Sequence, residues 1–454
     1  MAASETAVST SSRRAIGEIV SGSLGRRKRA ETRFQAIGLG ALIVGIAFVA
    51  ILFGSIMSKG LPAFWQATIN LEVYFDPEII DVPEKPVQQA DQSPAEYLEQ
   101  LRSWQRKLAF VNWNKIVQNS LATVVPAAAD DARSAVGMVA SGERVRLRDM
   151  VMDNPALIGQ RREVALTAAA NVDVWLKGNI DRSLPQSSQQ LSRNQQQWSD
   201  ELYDRGVITM DFAWFIFTNT DSRSSPATAG LAGAFVGSFM MMLIVMFLAV
   251  PVGVMAAVYL EEFAPTNRWT DLVEVNINNL AAVPSIVFGL LGASIFINYM
   301  GLPLSAPLVG GLVLSLMSLP TVIIAARASL RAVPPSIRQA ALGVGASPMQ
   351  AMFHHTLPVA VPGMLTGAII SIAQALGETA PLLLIGMNAF VASVPSTPLD
   401  QSSALPVQIY LWQGNELRNF FEARTSAAII VLLGMMICLN ALAIYLRHRF
   451  ERRW

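Results

Sequence analysis

Six apolar runs constrain this chain more than any other feature. They lie near residues 34–57, 229–259, 272–298, 306–326, 363–387 and 425–446. Each is long enough to cross roughly 30 Å of hydrocarbon as a helix. Inside hydrocarbon every backbone N–H and C=O needs a partner within the protein, which a helix supplies from its own turns. The runs therefore predict an all-α membrane protein with six transmembrane helices. Composition agrees: 52% of the 454 residues are hydrophobic and 15% charged. Of 67 Asp, Glu, Lys and Arg residues, 38 fall within residues 58–228. That segment reads as a water-facing insertion between spans one and two, ahead of a five-span membrane core at 229–446. A globular cytosolic enzyme is excluded.

Six spans place both termini on one side, and basic residues say which. The arm 1–33 carries Arg13, Arg14, Arg26, Arg27, Lys28, Arg29 and Arg33, and the tail 447–454 carries Arg447, Arg449, Arg452 and Arg453. Residues 327–362 add Arg327, Arg331 and Arg338 without an acid, and Arg268 lies in the 260–271 loop. On the other side, 299–305 has no basic residue and 388–424 has Arg418 and Arg424. The positive-inside rule makes the termini cytoplasmic and the insertion extracytoplasmic. No signal peptide is expected, because the first apolar run is about twice a typical h-region and starts near residue 34.

The insertion reads as mostly helical. Ser93-Pro94-Ala95-Glu96 is a capping box with proline at the first helical position, and Leu98, Leu101, Trp104 and Leu108 follow at near-helical spacing. A second amphipathic stretch runs through Leu191, Trp198 and Leu202, and 163–177 is expected to be helical too. A small helical cap or spacer is the expectation for its role.

Catalytic chemistry is hard to find. The three histidines are His354, His355 and His448, all outside the insertion, so no metal cluster or Ser-His-Asp set forms there. Adjacent His354 and His355 point to different helix faces and make poor joint ligands. None of the six lysines follows a glycine, which excludes a P-loop. The single Cys438 rules out a disulfide within the chain. No basic patch exists beyond the terminal clusters, so no nucleic acid is expected. The chain reads as a transporter subunit whose energy comes from another chain, with no cofactor of its own.

The loop 328–362 is the most informative stretch. Pro334-Pro335-Ser336 sets an N-cap for helical turns over 337–344, and Gly343 and Gly345 break them with left-handed backbone. Ser347-Pro348-Met349-Gln350 then starts a second short helix ending near Leu357-Pro358, with Met349, Met352 and Phe353 offered to a partner's groove.

Gln339-Ala340-Ala341, three residues, Gly345, nine residues, His355, one residue, Leu357-Pro358 resembles the EAA loop of ABC importer permeases. That pattern has Glu where Gln339 stands and Ile where His355 stands. The run Tyr259-Leu260-Glu261-Glu262-Phe263-Ala264-Pro265 resembles the PstA family of phosphate-importer permeases. So do Asn278-Asn279-Leu280-Ala281-Ala282-Val283-Pro284-Ser285-Ile286-Val287-Phe288-Gly289 and Gly377-Glu378-Thr379-Ala380-Pro381-Leu382-Leu383. The similarity covers 209–446 nearly throughout, and the insertion resembles one seen in a subgroup of that family. The resemblance implies the type I ABC importer permease (MetI-like) fold in a bacterial inner membrane. It implies a PstC-type permease partner, a PstB-type ATPase dimer where ATP binds, a PstS-type phosphate-binding protein, and phosphate as cargo. It also implies that Gln339, Ala340, Ala341, Gly345, Met349, Phe353, Leu357 and Pro358 couple to the ATPase.

Glu378 is the one acidic or basic residue away from the end of a predicted span. Burying it costs at least roughly 2.5 kcal/mol, so it marks a translocation path, together with Thr379, Asn278 and Ser285. Phosphate is negative, so the carboxylate must accept a hydrogen bond from protonated phosphate or hold an arginine. Relatives commonly carry Arg four residues before this Glu; here that position is Gln374. Two other readings stay open. One is a permease for another oxyanion or small nutrient. The other is a membrane-anchored sensor using the insertion as its input, although neither terminus has room for a signalling domain.

Overall fold

The computed structural model describes residues 2–88, 92–391 and 393–450, so the end of the expected 447–454 tail lies outside the described residues. Residues 1–58 form a compact unit of their own, the greater part of helix α1 (Ala2–Gly60). The expected arm and first span are thus one continuous helix. Over the span its apolar side chains, including Phe34, Ile37, Leu42, Ile46 and Phe48, are exposed on every side, as hydrocarbon permits.

The remaining residues, 59–454, form the second unit. Its first part is the insertion, mostly helical but built around a sheet. Strand β1 (Trp65–Tyr74) pairs antiparallel with β2 (Arg161–Thr167) on one side and β3 (Ile208–Phe212) on the other. Register places Thr68 opposite both Thr167 and Thr209. Ala67, Ile69, Leu71 and Val73 are buried and alternate with outward residues, the period of a half-buried strand. The expectation of helix over 163–177 is corrected accordingly: Arg161–Thr167 is strand, and helix covers only Ala170–Leu176.

Helices α2 (Pro94–Phe110), α3 (Trp113–Ala122), α4 (Ala132–Met138), α5 (Ser141–Asp153), α6 (Ala170–Leu176), α7 (Arg193–Asp204) and α8 (Phe215–Thr218) surround the sheet. The Ser93–Glu96 capping box forms as the spacing requires, and Ser192 with Gln195 makes a second at α7. Trp104, Leu108, Leu191, Trp198 and Leu202 are buried, whereas Leu98 stays exposed.

Beyond the insertion come α9 (Ala232–Val258), α10 (Arg268–Ala281), α11 (Ser285–Gly292) and α12 (Pro307–Arg331). They are followed by α13 (Pro335–Gly343), α14 (Pro348–Ala351), α15 (Leu357–Gly377), α16 (Ala380–Leu384), α17 (Leu405–Gln413) and α18 (Arg418–Phe450). Among the described residues five helical stretches are long and apolar enough to cross a membrane, and the count is six if the bent pair Arg268–Ala281 and Ser285–Tyr299 is one span.

Two spans depart from straight helices. The segment expected as one helix over 272–298 bends by 101° between α10 and Ser285–Tyr299. Pro284 sits at the bend in extended conformation, φ −56° and ψ 134°, and cannot continue the hydrogen-bond ladder. The segment expected over 363–387 starts earlier, as a continuous helix Pro348–Gly377, and stops where Glu378 is extended at φ −73° and ψ 128°.

Helices here meet through small residues, since lipid offers no hydrophobic drive between them. A Cβ added at Gly253 would lie 2.7 Å from the Val322 side chain, and one at Gly311 would lie 2.6 Å from Ile244. Gly363 faces Ser329 and Gly367 faces Ala325, a Gly-x-x-x-Gly face on α15 against α12.

The insertion shares one continuous core with the bundle, running from Ile69 and Leu166 to Met241, Val309 and Phe421. Arg424 at the start of α18 is buried, donates to Gln66 of β1 and to the Ala227 carbonyl at 3.2 Å, and lies 5.2 Å from the rings of both Phe215 and Phe420. Asp173 accepts from the Ala67 N–H at 2.9 Å and from Lys177 at 2.7 Å. The insertion is thus joined to the bundle by a buried arginine and a shared core.

The packing predicts a sharp positional contrast between glycines. Gly367→Leu should lower stability by about 1–3 kcal/mol, read as a reduced thermal midpoint in detergent. Gly434→Leu should leave the midpoint unchanged, because nothing lies within 4 Å of that position.

Candidate functional site: the 328–362 loop and the broken spans

The loop is built as a helical elbow whose inner face is anchored. Helix α13 starts at Pro335, two residues before the expected turns, with extended Pro334 at its N-cap; Ser336 lies in its first turn and caps nothing. Left-handed backbone is confined to Gly345, at φ +94°; Gly343 is not left-handed. Ser347 then caps α14, accepting from the Gln350 N–H at 3.2 Å while the Gln350 side chain accepts from the Ser347 N–H at 2.9 Å. The chain continues through 352–356 directly into α15, so the expected short helix ending at Leu357-Pro358 is the first part of the span.

Burial separates anchor from projection. Ala341 and Met352 are buried, the latter in a cluster with Ala257, Ile323, Leu330, Val333 and Met364. Met352, expected on the projecting surface, is thus corrected to an anchor. Met349 and Phe353 are exposed as expected, and they are joined by Leu342 and by Val344, which is 87% exposed. Gln339 and Ala340 are exposed, while Leu357 and Pro358 are half-buried. Val344 and Leu342 escaped notice in the sequence because they fall in the spacer of the motif.

A carboxylate clamp holds this elbow to the end of α9. Glu261 accepts from Arg327 at 3.2 Å and from Arg331 at 2.8 Å. Arg327 also reaches Glu274 of α10 at 2.5 Å, and Arg338 of α13 pairs with Glu262 at 2.5 Å. Arg327 is 12% exposed and bridges two helices, whereas Arg331 is 60% exposed. The first arrangement is the kind of ion pair whose rupture leaves a charge poorly solvated; the second is mostly screened by water.

The residues expected to line a path divide between two places. Glu378 ends α15 and Thr379 is the N-cap of α16. Ser285 opens α11, which packs on α16 so closely that a Cβ at Gly289 would lie 2.7 Å from the Pro381 Cα. The helices that follow the two breaks are therefore in backbone contact. Asn278 lies on the other limb of the bend, exposed on α10. Glu378 is half-buried and makes no ion pair or side-chain hydrogen bond among the described residues; Gln374, one turn earlier, is exposed. The sequence placed Glu378 inside a helix, and its actual position at a helix end follows from Pro381 and Gly377 on either side.

The clamp yields a graded expectation. Arg327→Gln should destabilise the loop by about 1–3 kcal/mol, seen as faster limited trypsin cleavage near Arg338. Arg331→Gln should change the cleavage rate little, by less than about 1 kcal/mol in effect.

Comparison with known proteins agrees with this architecture. Residues 226–454 match the family described as binding-protein-dependent transport system inner membrane component, and residues 21–186 match a domain of unknown function, DUF3333. The phosphate transport system permease protein PstA 1 of Mycobacterium tuberculosis (strain CDC 1551 / Oshkosh) is 34% identical over 263 residues, covering 56% of this chain and 77% of that protein. PstA of Yersinia pestis is 31% identical over 241 residues, covering 53% and 79%. The probable ABC transporter permease protein YqgI of Bacillus subtilis (strain 168) is 33% identical over 170 residues, covering 37% of this chain and 57% of that protein. Members of this family are membrane transport components and not enzymes. With the matched family spanning the whole bundle from 226 onward, this chain belongs to the binding-protein-dependent ABC importer permeases and is of the PstA type.

Proposed function

We propose that the chain is one of two membrane subunits of an ATP-driven phosphate importer. It would form the translocation path with a homologous PstC-type permease, with both termini and the 328–362 loop in the cytoplasm and the insertion outside. Each permease would offer its loop to one copy of a PstB-type ATPase, where ATP binds, and a PstS-type protein would deliver phosphate from outside. The observation that carries this reading is the loop itself. Its apolar residues Leu342, Val344, Met349 and Phe353 are presented outward while Ala341 and Met352 anchor it. A glycine elbow and a charge clamp fix its angle. A surface held rigid yet left apolar suits insertion into a partner.

Force applied at this loop has a direct route to the path. Met352 lies in the same continuous helix that ends at Glu378, so a push on the elbow moves the Glu378 break through α15. Glu378 itself would accept a hydrogen bond from protonated phosphate or hold an arginine of the second permease. If Glu378 meets the cargo directly, phosphate can donate a hydrogen bond to it from a protonated oxygen, whereas sulfate, which carries no proton at neutral pH, cannot.

Labelled-phosphate uptake at low concentration tests the proposal, in cells lacking only this chain and free of redundant phosphate systems. Sulfate and an amino acid serve as controls. Phosphate uptake alone should fall and return with the wild-type chain. Gly345→Val should insert normally but fail to restore uptake, because a β-branched residue at φ +94° disturbs the elbow. Glu378→Gln should reduce uptake about tenfold or more, the loss expected for a hydrogen bond to a charged group. Unchanged phosphate uptake without the chain, or normal uptake with Gly345→Val, would overturn the reading.

A further inference from the structure

The insertion carries an aromatic surface that neither transport nor the loop uses. At one end of its sheet, Phe212 stacks in T-shape against Trp65 and Trp214, with ring centroids 5.6 Å and 4.7 Å apart. Phe217 lies 6.4 Å from Phe212 and 5.8 Å from the buried Phe64. Trp214 is 70% exposed, and Trp65, Phe212 and Phe217 are each more than a third exposed. The indole N–H groups of Trp104, Trp113, Trp175 and Trp412 all reach acceptors. Those of Trp65 and Trp214 have none among the described residues, as holds also for Trp198 and Trp269.

The location of this patch says what covers it. Helix α8, which carries Phe217, is bonded to the first turn of the membrane helix α9: Leu231 N–H donates to the Ile216 carbonyl at 2.7 Å, and Ala232 N–H donates to the Asn219 carbonyl at 3.0 Å. Ala213 N–H donates to the Phe64 carbonyl at 2.7 Å, which fixes β3 at the same level. A side chain at Gly230 would collide with the Phe215 and Asn219 carbonyls, so only glycine fits beside α8 there. Exposed aromatic surface continues along α9 at Phe235 and Phe239. The patch is thus bonded to the first turn of the predicted span α9, whose Phe235 and Phe239 are exposed too.

We propose that Trp65, Phe212, Trp214 and Phe217 form a lipid-contact surface that sits in the interfacial layer of the bilayer, so that the insertion lies on the membrane. Amphipathic rings are most stable at that depth, with the ring among acyl carbons and the indole N–H toward headgroups. The unpartnered N–H groups of Trp65 and Trp214 fit that arrangement. The inference does not depend on the cargo.

Spin-label accessibility tests it in the complex reconstituted in phosphatidylethanolamine and phosphatidylglycerol nanodiscs, with Cys438→Ser removing the native thiol. Labels are placed at Trp214→Cys, at Phe217→Cys, and at Tyr74→Cys as the reference. Tyr74 closes the far end of β1, about 30 Å from Trp65 at strand rise. The labels at 214 and 217 should be reached by oxygen several-fold more readily than by a water-soluble nickel chelate, and the label at 74 should show the reverse. Nickel access at 214 and 217 equal to that at 74 would overturn the proposal. Exclusion of both reagents there would also overturn it, since protein would then cover the patch.

Discussion

The bundle is held together where backbones approach α12 too closely for any side chain larger than glycine's. Gly253 of α9 meets Val322, Gly311 meets Ile244, and Gly363 and Gly367 of α15 meet Ser329 and Ala325. In lipid such contact replaces the hydrophobic drive that assembles soluble proteins. It also positions the segments next along the chain. Helix α12 ends in Arg327 and Arg331, which grip Glu261 and Glu274, and the next helix contributes Arg338 to Glu262. The 328–362 loop is thereby tied to the bundle by these ion pairs at its start and by buried Met352 further along.

The anchored loop contrasts with two interrupted spans. Two spans break, one at Pro284 and one at Glu378, and broken helices survive at membrane depth only where protein satisfies their backbone. Here each break leads into a short helix, α11 or α16, and these lie against one another at Gly289 and Pro381. In the proposed importer, these helix ends and the half-buried Glu378 carboxylate would line the route of the ion. The insertion completes the other side. Arg424 ties the sixth span to β1 through Gln66, and one core runs through both.

Much of this was legible in the sequence because hydrocarbon permits few solutions. Apolar length identified the spans, the Ser-x-x-Glu and Ser-x-x-Gln boxes located helix starts at 93 and 347, and the glycine at 345 signalled a left-handed turn. The limits were also physical. Apolar length cannot distinguish a straight span from one bent at a proline, which hid the break at 284. The alternation of Ala67, Ile69, Leu71 and Val73 is a genuine strand signal, but it is short and sits amid helical segments. Met352 and Met349 look alike in sequence, and only the packing of α15 against α9 and α12 decides which is anchor and which is projection. Ion pairs such as Glu261 with Arg327 join residues 66 positions apart, beyond any local pattern.

If the 328–362 elbow is the surface on which the ATPase acts, contact there can be read directly. A photo-crosslinker placed at Val344, in the assembled and transport-competent complex, measures it. The expected result is a crosslink to the ATPase subunit whose yield changes when ATP is bound and hydrolysed. Crosslinks confined to lipid or to this chain, in a complex that still transports, would refute that role for the elbow.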